Sequence, residues 1–137
     1  MKAKWIPIKG NYELEDMSLV TRLITNGWGQ KIPDVTIGYP GQGLHNRIIA
    51  YMAMPKDITK QPEQWQSEYR GDELPNKKTP CLVQLQDDVG KLRIIESYYL
   101  AKENKFLRVP DGWEVLGWMQ YPKPYIFRNC KKYEEEI

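Results

Sequence analysis

The stretch over residues 114–125 limits the fold more than any other. Glu114-Val115-Leu116 opens it as a strand and Gly117-Trp118-Met119-Gln120-Tyr121 carries it on. Pro122-Lys123-Pro124 must then end it, because proline has no N–H to give to a ladder. A fainter version of the phrase comes earlier, where Arg47-Ile48-Ile49 runs into Ala50-Tyr51-Met52-Ala53-Met54-Pro55. Two closing strands of one kind imply two related halves.

Each half can be filled in from its turns. Trp5-Ile6-Pro7-Ile8 reads as a first strand that Pro7 confines to an edge or a strand start. Leu19-Val20-Thr21-Arg22-Leu23-Ile24 is rich in β-formers and meets Asn26-Gly27, a strong hairpin signal. Residues 34–39 alternate apolar side chains at Val35, Ile37 and Tyr39, then Pro40-Gly41-Gln42-Gly43 turns the chain back. In the second half, Cys81-Leu82-Val83-Gln84-Leu85 and residues 92–99 form a hairpin about Asp87-Asp88-Val89-Gly90. Residues 105–109 and 113–121 supply two more strands. Between the halves, Pro62 suits the first turn of a helix over 62–70 that ends at Gly71, with Trp65 and Tyr69 on one face. The tail Lys131-Lys132-Tyr133-Glu134-Glu135-Glu136 is charged enough to be frayed or weakly helical, a solubilising end.

The halves align as a repeat. Leu19-Val20 answers Leu82-Val83, Val35-Thr36-Ile37-Gly38-Tyr39 answers Ile94-Ile95-Glu96-Ser97-Tyr98, and Tyr51-Met52 answers Trp118-Met119. The expected fold is therefore mostly β (α+β): two small antiparallel β units packed together, with one short helix near 62–70. The organisation is one compact domain over 1–137, with a repeat of 5–56 and 72–125 joined by a helical linker, 57–71.

Composition narrows the function classes. With 20 Lys+Arg against 18 Asp+Glu, the net charge of +2 gives no electrostatic footprint of a dedicated DNA binder. No apolar run nears the roughly 20 residues of a membrane span, and the start lacks the apolar core of a signal peptide. A cytoplasmic protein with no membrane partner is the expectation. Cys81 and Cys130 form neither a CxxC pair nor a disulfide framework.

Two segments resemble a known family. Leu74-Pro75-Asn76-Lys77-Lys78-Thr79-Pro80-Cys81-Leu82-Val83, followed by Val115-Leu116-Gly117-Trp118-Met119-Gln120-Tyr121-Pro122-Lys123-Pro124, is similar to a family of short phage and prophage proteins of unknown function. Its members open with Leu-Pro…Pro-Val-Leu-Val and close in Trp-Met-Pro-Leu-Pro-x-Pro. Trp5-Ile6-Pro7-Ile8 looks like that family's Trp-Ile-x-Val start. The match covers mainly residues 72–125, with the first half as a divergent copy. The chain departs from the pattern at Gln120, where the family has proline, and between Trp5 and Leu74. The resemblance implies a viral or mobile-element accessory protein of small, mostly β build, and carries over no catalytic residue.

No set of residues converges on chemistry. His45 is the single histidine and reads as a loop or surface residue, because a zinc site would need partners that Cys81 and Cys130 do not supply nearby in sequence. The glycines of residues 38–43 lack the Lys-Ser/Thr of a phosphate loop and read as a turn. Adjacent strand carboxylates point to opposite sides, so Asp87-Asp88 reads as a solvated hairpin tip rather than a cation site. No metal, cofactor or catalytic residue is expected.

The aromatic surplus is the informative feature. Trp28, Tyr39, Trp65, Tyr98, Tyr99, Trp113, Trp118, Tyr121 and Tyr125 exceed what so small a core can hold. The candidate partner-binding surface is Tyr98, Tyr99, Trp113, Trp118 and Tyr121 with Arg93, Arg108 and Lys123. Tyrosine, tryptophan and arginine dominate binding hot spots, and aromatics beside cations equally stack bases. Pro122-Lys123-Pro124 reads either as a polyproline ligand or as the stop of the last strand. The expected function is a non-enzymatic phage or prophage accessory protein that engages a host protein or a protein–nucleic-acid complex, interference with an antiviral defence system being the concrete form. The alternatives are a nucleic-acid-binding module and a sponge for a signalling nucleotide.

Overall fold

Two hairpin turns of one design shape the molecule. A computed structural model describes residues 4–75 and 79–126. Its strands are β1 (Ile6–Pro7), β2 (Ser18–Thr25), β3 (Lys31–Gly38), β4 (Ile48–Ala53), β5 (Cys81–Asp87), β6 (Leu92–Ser97), β7 (Tyr99–Leu100), β8 (Lys105–Phe106) and β9 (Trp113–Gln120). Between β2 and β3, the Asn26 N–H donates to Gln30 O (2.8 Å) and the Gly29 N–H to Asn26 O (3.1 Å). The Asn26 Oδ1 accepts the N–H groups of Trp28 (2.9 Å) and Gln30 (3.0 Å). Between β5 and β6, the Asp87 N–H donates to Lys91 O (3.0 Å) and the Gly90 N–H to Asp87 O (3.2 Å). The Asp87 Oδ1 accepts the N–H groups of Val89 (3.1 Å) and Lys91 (2.7 Å). Gly29 and Gly90 both take left-handed φ values, 77° and 88°, which a side chain would resist.

The sheets are antiparallel, in the orders β1-β4-β2-β3, β6-β5-β9 and β7-β8. The chain divides into two compact units, Met1–Met54 with Pro122–Ile137, and Pro55–Tyr121. A central strand in each is flanked by its hairpin partner and by a later strand. Leu19 pairs with Ile37 and Met52, and Leu82 with Glu96 and Met119. The register then shifts after Thr21/Ala50 in one unit and after Gln84/Gly117 in the other, leaving Ile49 and Leu116 as the extra residues of two bulges.

In the first unit the core holds Ile8, Leu14, Val20 and Ile48, with Tyr51 packed against it. Gly38 is required by closeness, since a Cβ there would come within 2.8 Å of Leu14 Cδ1 and nearer still to Val20. β1 lies at the sheet edge, as Pro7 demands. The expected second half, 72–125, ends earlier than its spacing indicates. Pro122 stops β9, and the Tyr125 N–H donates to Thr21 Oγ1 (2.9 Å) while the Trp5 Nε1–H donates to Lys123 O (2.9 Å). Those residues therefore belong with the first unit.

In the second unit Cys81, Val83, Leu85, Tyr99, Phe106 and Trp118 form the core. The helix expected over 62–70 is replaced by two 3-10 turns, Pro62–Gln64 and Glu68–Arg70. Between them Trp65 is extended, because the Gln66 backbone exchanges both its hydrogen bonds with Trp118 at 2.8 Å and adds an edge to β9. Trp65 is wholly buried, its Nε1–H donating to Lys56 O (3.0 Å), whereas Tyr69 is exposed. Arg70 holds the loop together: its guanidinium donates to the carbonyls of Pro62 and Trp65 and pairs with Asp72 (2.9 Å). The Ser67 N–H first, then Arg70, draw the Asp72 carboxyl below its usual range. The third strand expected at 105–109 shortens to β8, because Arg108 turns into the left-handed region (φ 63°). The 131–136 tail and Cys130 lie outside the described residues.

Candidate interaction surface

The end of β6 builds a platform in the second unit. Ser97 is fully buried, and its Oγ–H donates to Leu107 O (2.5 Å) while the Leu107 N–H donates to Tyr98 O (2.9 Å). These bonds tie residues 105–109 to the sheet. Beyond them, left-handed Arg108 carries its guanidinium over the Tyr98 ring, 5.9 Å from the centroid, a cation–π geometry. A non-glycine residue with positive φ is uncommon and is held only by its surroundings.

A cleft of about 400 Å³ opens beside Arg108. Tyr99 and Phe106, their rings 4.9 Å apart, take part in its lining with Trp113, Lys105, Arg108 and Glu68. A second, more polar hollow of about 460 Å³ is lined by Gln64, Gln66, Glu73, Trp118 and Gln120.

The structure divides the residues expected to form one surface. Arg108 and Trp113 line the first cleft together, and Tyr98 joins them only through the Arg108 guanidinium over its ring, since Tyr98 itself is not part of the lining. Tyr99 and Trp118 are corrections: at 7% and 8% exposure they are core residues, and the Trp118 Nε1–H is used by Glu73 O (3.1 Å). Adjacent strand residues face opposite ways, and Tyr99 is the one that turns inward. Tyr121 is half-buried and its hydroxyl donates to Glu96 (2.7 Å). Arg93 is exposed but three residues from Glu96 along β6, so the two side chains leave opposite faces of the sheet. Lys123 belongs to the first unit.

Sequence reasoning missed Lys105 and Glu68 at the cleft, and treated Trp28 as one of many aromatics although it is 88% exposed. Its place directly after Asn26-Gly27 was the available signal, since turn tips project into solvent.

The groups weighed for chemistry take structural positions. His45 is exposed on the 3-10 turn Leu44–Asn46. The glycines at 38, 41 and 43 serve a packing contact, a turn with φ 88° and a close approach to Tyr12 O. Asp87 caps its own hairpin. Cys81 is buried, and burial, with Glu96 adding to it, pushes its thiol up to about 11, far from nucleophilic readiness. Tyr12 stacks on Tyr51 at 5.2 Å, and the hydrogen bond between them raises its hydroxyl to about 12. Among the described residues no group of three or more His, Cys, Asp or Glu side chains could hold a metal ion. None of the helices among them is long and apolar enough to cross a membrane.

Comparison with protein-family models, curated proteins and solved structures finds no match.

Proposed function

We propose that this chain is a non-enzymatic accessory binding protein, of the phage or prophage kind its motifs resemble, that engages a host protein through the cleft beside Arg108. Interference with an antiviral defence system is the concrete form of that role. The supporting observation is the Tyr98–Arg108 pair: an exposed guanidinium on a left-handed backbone lies over the half-buried Tyr98 ring, and Arg108 also lines an aromatic-floored cleft. Arginine and aromatic anchors of this type carry a large share of binding energy at protein interfaces, and a side chain fixed before binding has less entropy to lose.

The test is a tagged pull-down from bacterial lysate, with and without nuclease, using the native chain and Arg108→Glu. Arg108 is exposed, so the variant should keep the melting temperature. The expected result is a stoichiometric protein that survives nuclease and whose recovery falls by about tenfold or more on Arg108→Glu. A high 260/280 absorbance ratio abolished by nuclease would replace this reading with a nucleic-acid binder. A high ratio that nuclease leaves untouched would replace it with a nucleotide sponge.

A further inference from the structure

We infer that Trp28, at the tip of the β2–β3 hairpin, is the anchor of a second contact surface, seated in an apolar pocket of a protein partner. Its indole is 88% exposed, the most exposed of the large apolar side chains among the described residues. The turn does not need it. The β5–β6 hairpin makes the same turn around Val89, with the same side-chain cap and the same left-handed glycine. Tryptophan is therefore a choice at this position, not a requirement of the loop.

The tip is also fixed in advance. Asn26 Oδ1 accepts the Trp28 N–H itself, and Asn26 Nδ2–H donates to Gln30 Oε1 (3.0 Å), so the backbone beneath the indole is ordered before any partner arrives. Gly27 and Gly29 precede and follow Trp28 in the chain, and a Cβ at either would meet nothing within 4 Å, so neither neighbour carries a side chain that could crowd the tip.

Charge and size select the partner class. Residues 25–31 carry a single charge, Lys31, and the neighbouring Arg22 is engaged by Asp34 at 3.3 Å. The exposed Arg47, whose carbonyl accepts the Leu23 N–H (3.0 Å), adds one more cation, and with Lys31 that makes two rather than the run of cations a phosphate backbone needs. One indole on a polar loop is also a poor membrane anchor, which needs a broad apolar face or basic cluster. An apolar pocket in a protein suits a rigid, uncharged knob, and tryptophan is a leading hot-spot residue.

The test uses the full chain labelled with 5-fluorotryptophan, the Trp28 resonance being assigned by its loss in Trp28→Ala. Proteins recovered from bacterial lysate by the native chain are purified and titrated in, beside phosphatidylglycerol vesicles and a single-stranded oligonucleotide. The expected result is a shift of the Trp28 resonance by a recovered protein but by neither vesicles nor oligonucleotide. Trp28→Ala should bind that protein about thirtyfold or more weakly, with Val89→Ala within about twofold of native. Failure to recover a protein that moves the resonance, equal binding by Trp28→Ala, or a shift by vesicles or oligonucleotide alone would overturn the inference. Arg108→Glu, run in parallel, separates it from the cleft reading: loss on Trp28→Ala with retention on Arg108→Glu rejects the cleft and keeps this anchor, and the reverse rejects the anchor.

Discussion

Cys81 illustrates how a single residue's surroundings decide its chemistry. It opens β5 in the core of the second unit with 2% exposure, opposite Ser97 and Gln120. Burial opposes the thiolate, and the nearby Glu96 carboxylate adds repulsion, so the folded thiol titrates at about 11 instead of 9.0. The sign follows from linkage: the neutral thiol's contribution to stability is complete below about pH 9 and is lost as pH rises through about 11. In a Cys130→Ser background, a disulfide reagent at pH 8 should therefore label Cys81 only as fast as the chain opens. Labelling at the rate of a free thiol peptide would show that the side chain is accessible and the core assignment wrong. Arg108 shows the same dependence from the other direction. Its sequence neighbours suggest a strand, yet buried Ser97 claims Leu107 O and the backbone turns left-handed one residue later. Nothing local in Lys105-Phe106-Leu107-Arg108-Val109 announces that bond.

At the level of elements, the segment over 62–70 separates local propensity from tertiary demand. Pro62, Trp65, Tyr69 and Gly71 have the spacing of a short amphipathic helix, and in a helix the two aromatics would share one buried face. The open edge of β9 wins instead, because Gln66 can exchange two backbone hydrogen bonds with Trp118 and Trp65 can fill the space above Gly117. A Cβ at Gly117 would lie 2.6 Å from Gln66 O and 2.7 Å from Ile58 Cδ1, so the glycine is what lets the segment approach. The two arrangements make different forecasts. Trp65→Ala empties a fully buried site and should destabilise the chain by about 3–5 kcal/mol in urea unfolding. Tyr69→Ala removes a 69% exposed ring and its hydroxyl bond to Glu114 (3.0 Å), and the midpoint should barely move. Comparable losses in the two variants would mean a shared helical face. Strand positions, turns and the proline stop were legible because alternation and turn chemistry are local. Which aromatics lie inward was not, because it depends on what covers each sheet face: Tyr99 and Trp118 went in, while Trp28 and Tyr69 stayed out.

For the molecule as a whole, the two units share more than strand order. Their central strands, bulges and hairpin tips follow in the same order, with Leu19–Met52 matched by Leu82–Met119 and Asn26 matched by Asp87, although the arm between bulge and tip is two residues shorter in the second unit. If one turn serves both, its contents should be exchangeable. Gly27→Asp with Trp28→Val gives the first tip the composition of the second, and Gly29 keeps the left-handed position. Gly27 has a φ outside the left-handed region and open space around it, so an aspartate fits there. The reciprocal change, Asp88→Gly with Val89→Trp, moves the indole to the second unit. Both chimeras should unfold within about 0.5 kcal/mol of the native chain, and hydrogen exchange at the amides of residues 30 and 91 should stay protected, since each is held by the Asn26 or Asp87 side chain. A loss of more than about 1 kcal/mol in either chimera, or loss of that protection, would show that the tips are alike in outline only. Tolerated exchange has a further use. It yields a folded chain whose indole sits on the other hairpin, so any binding that follows the tryptophan can be told from binding that follows the unit.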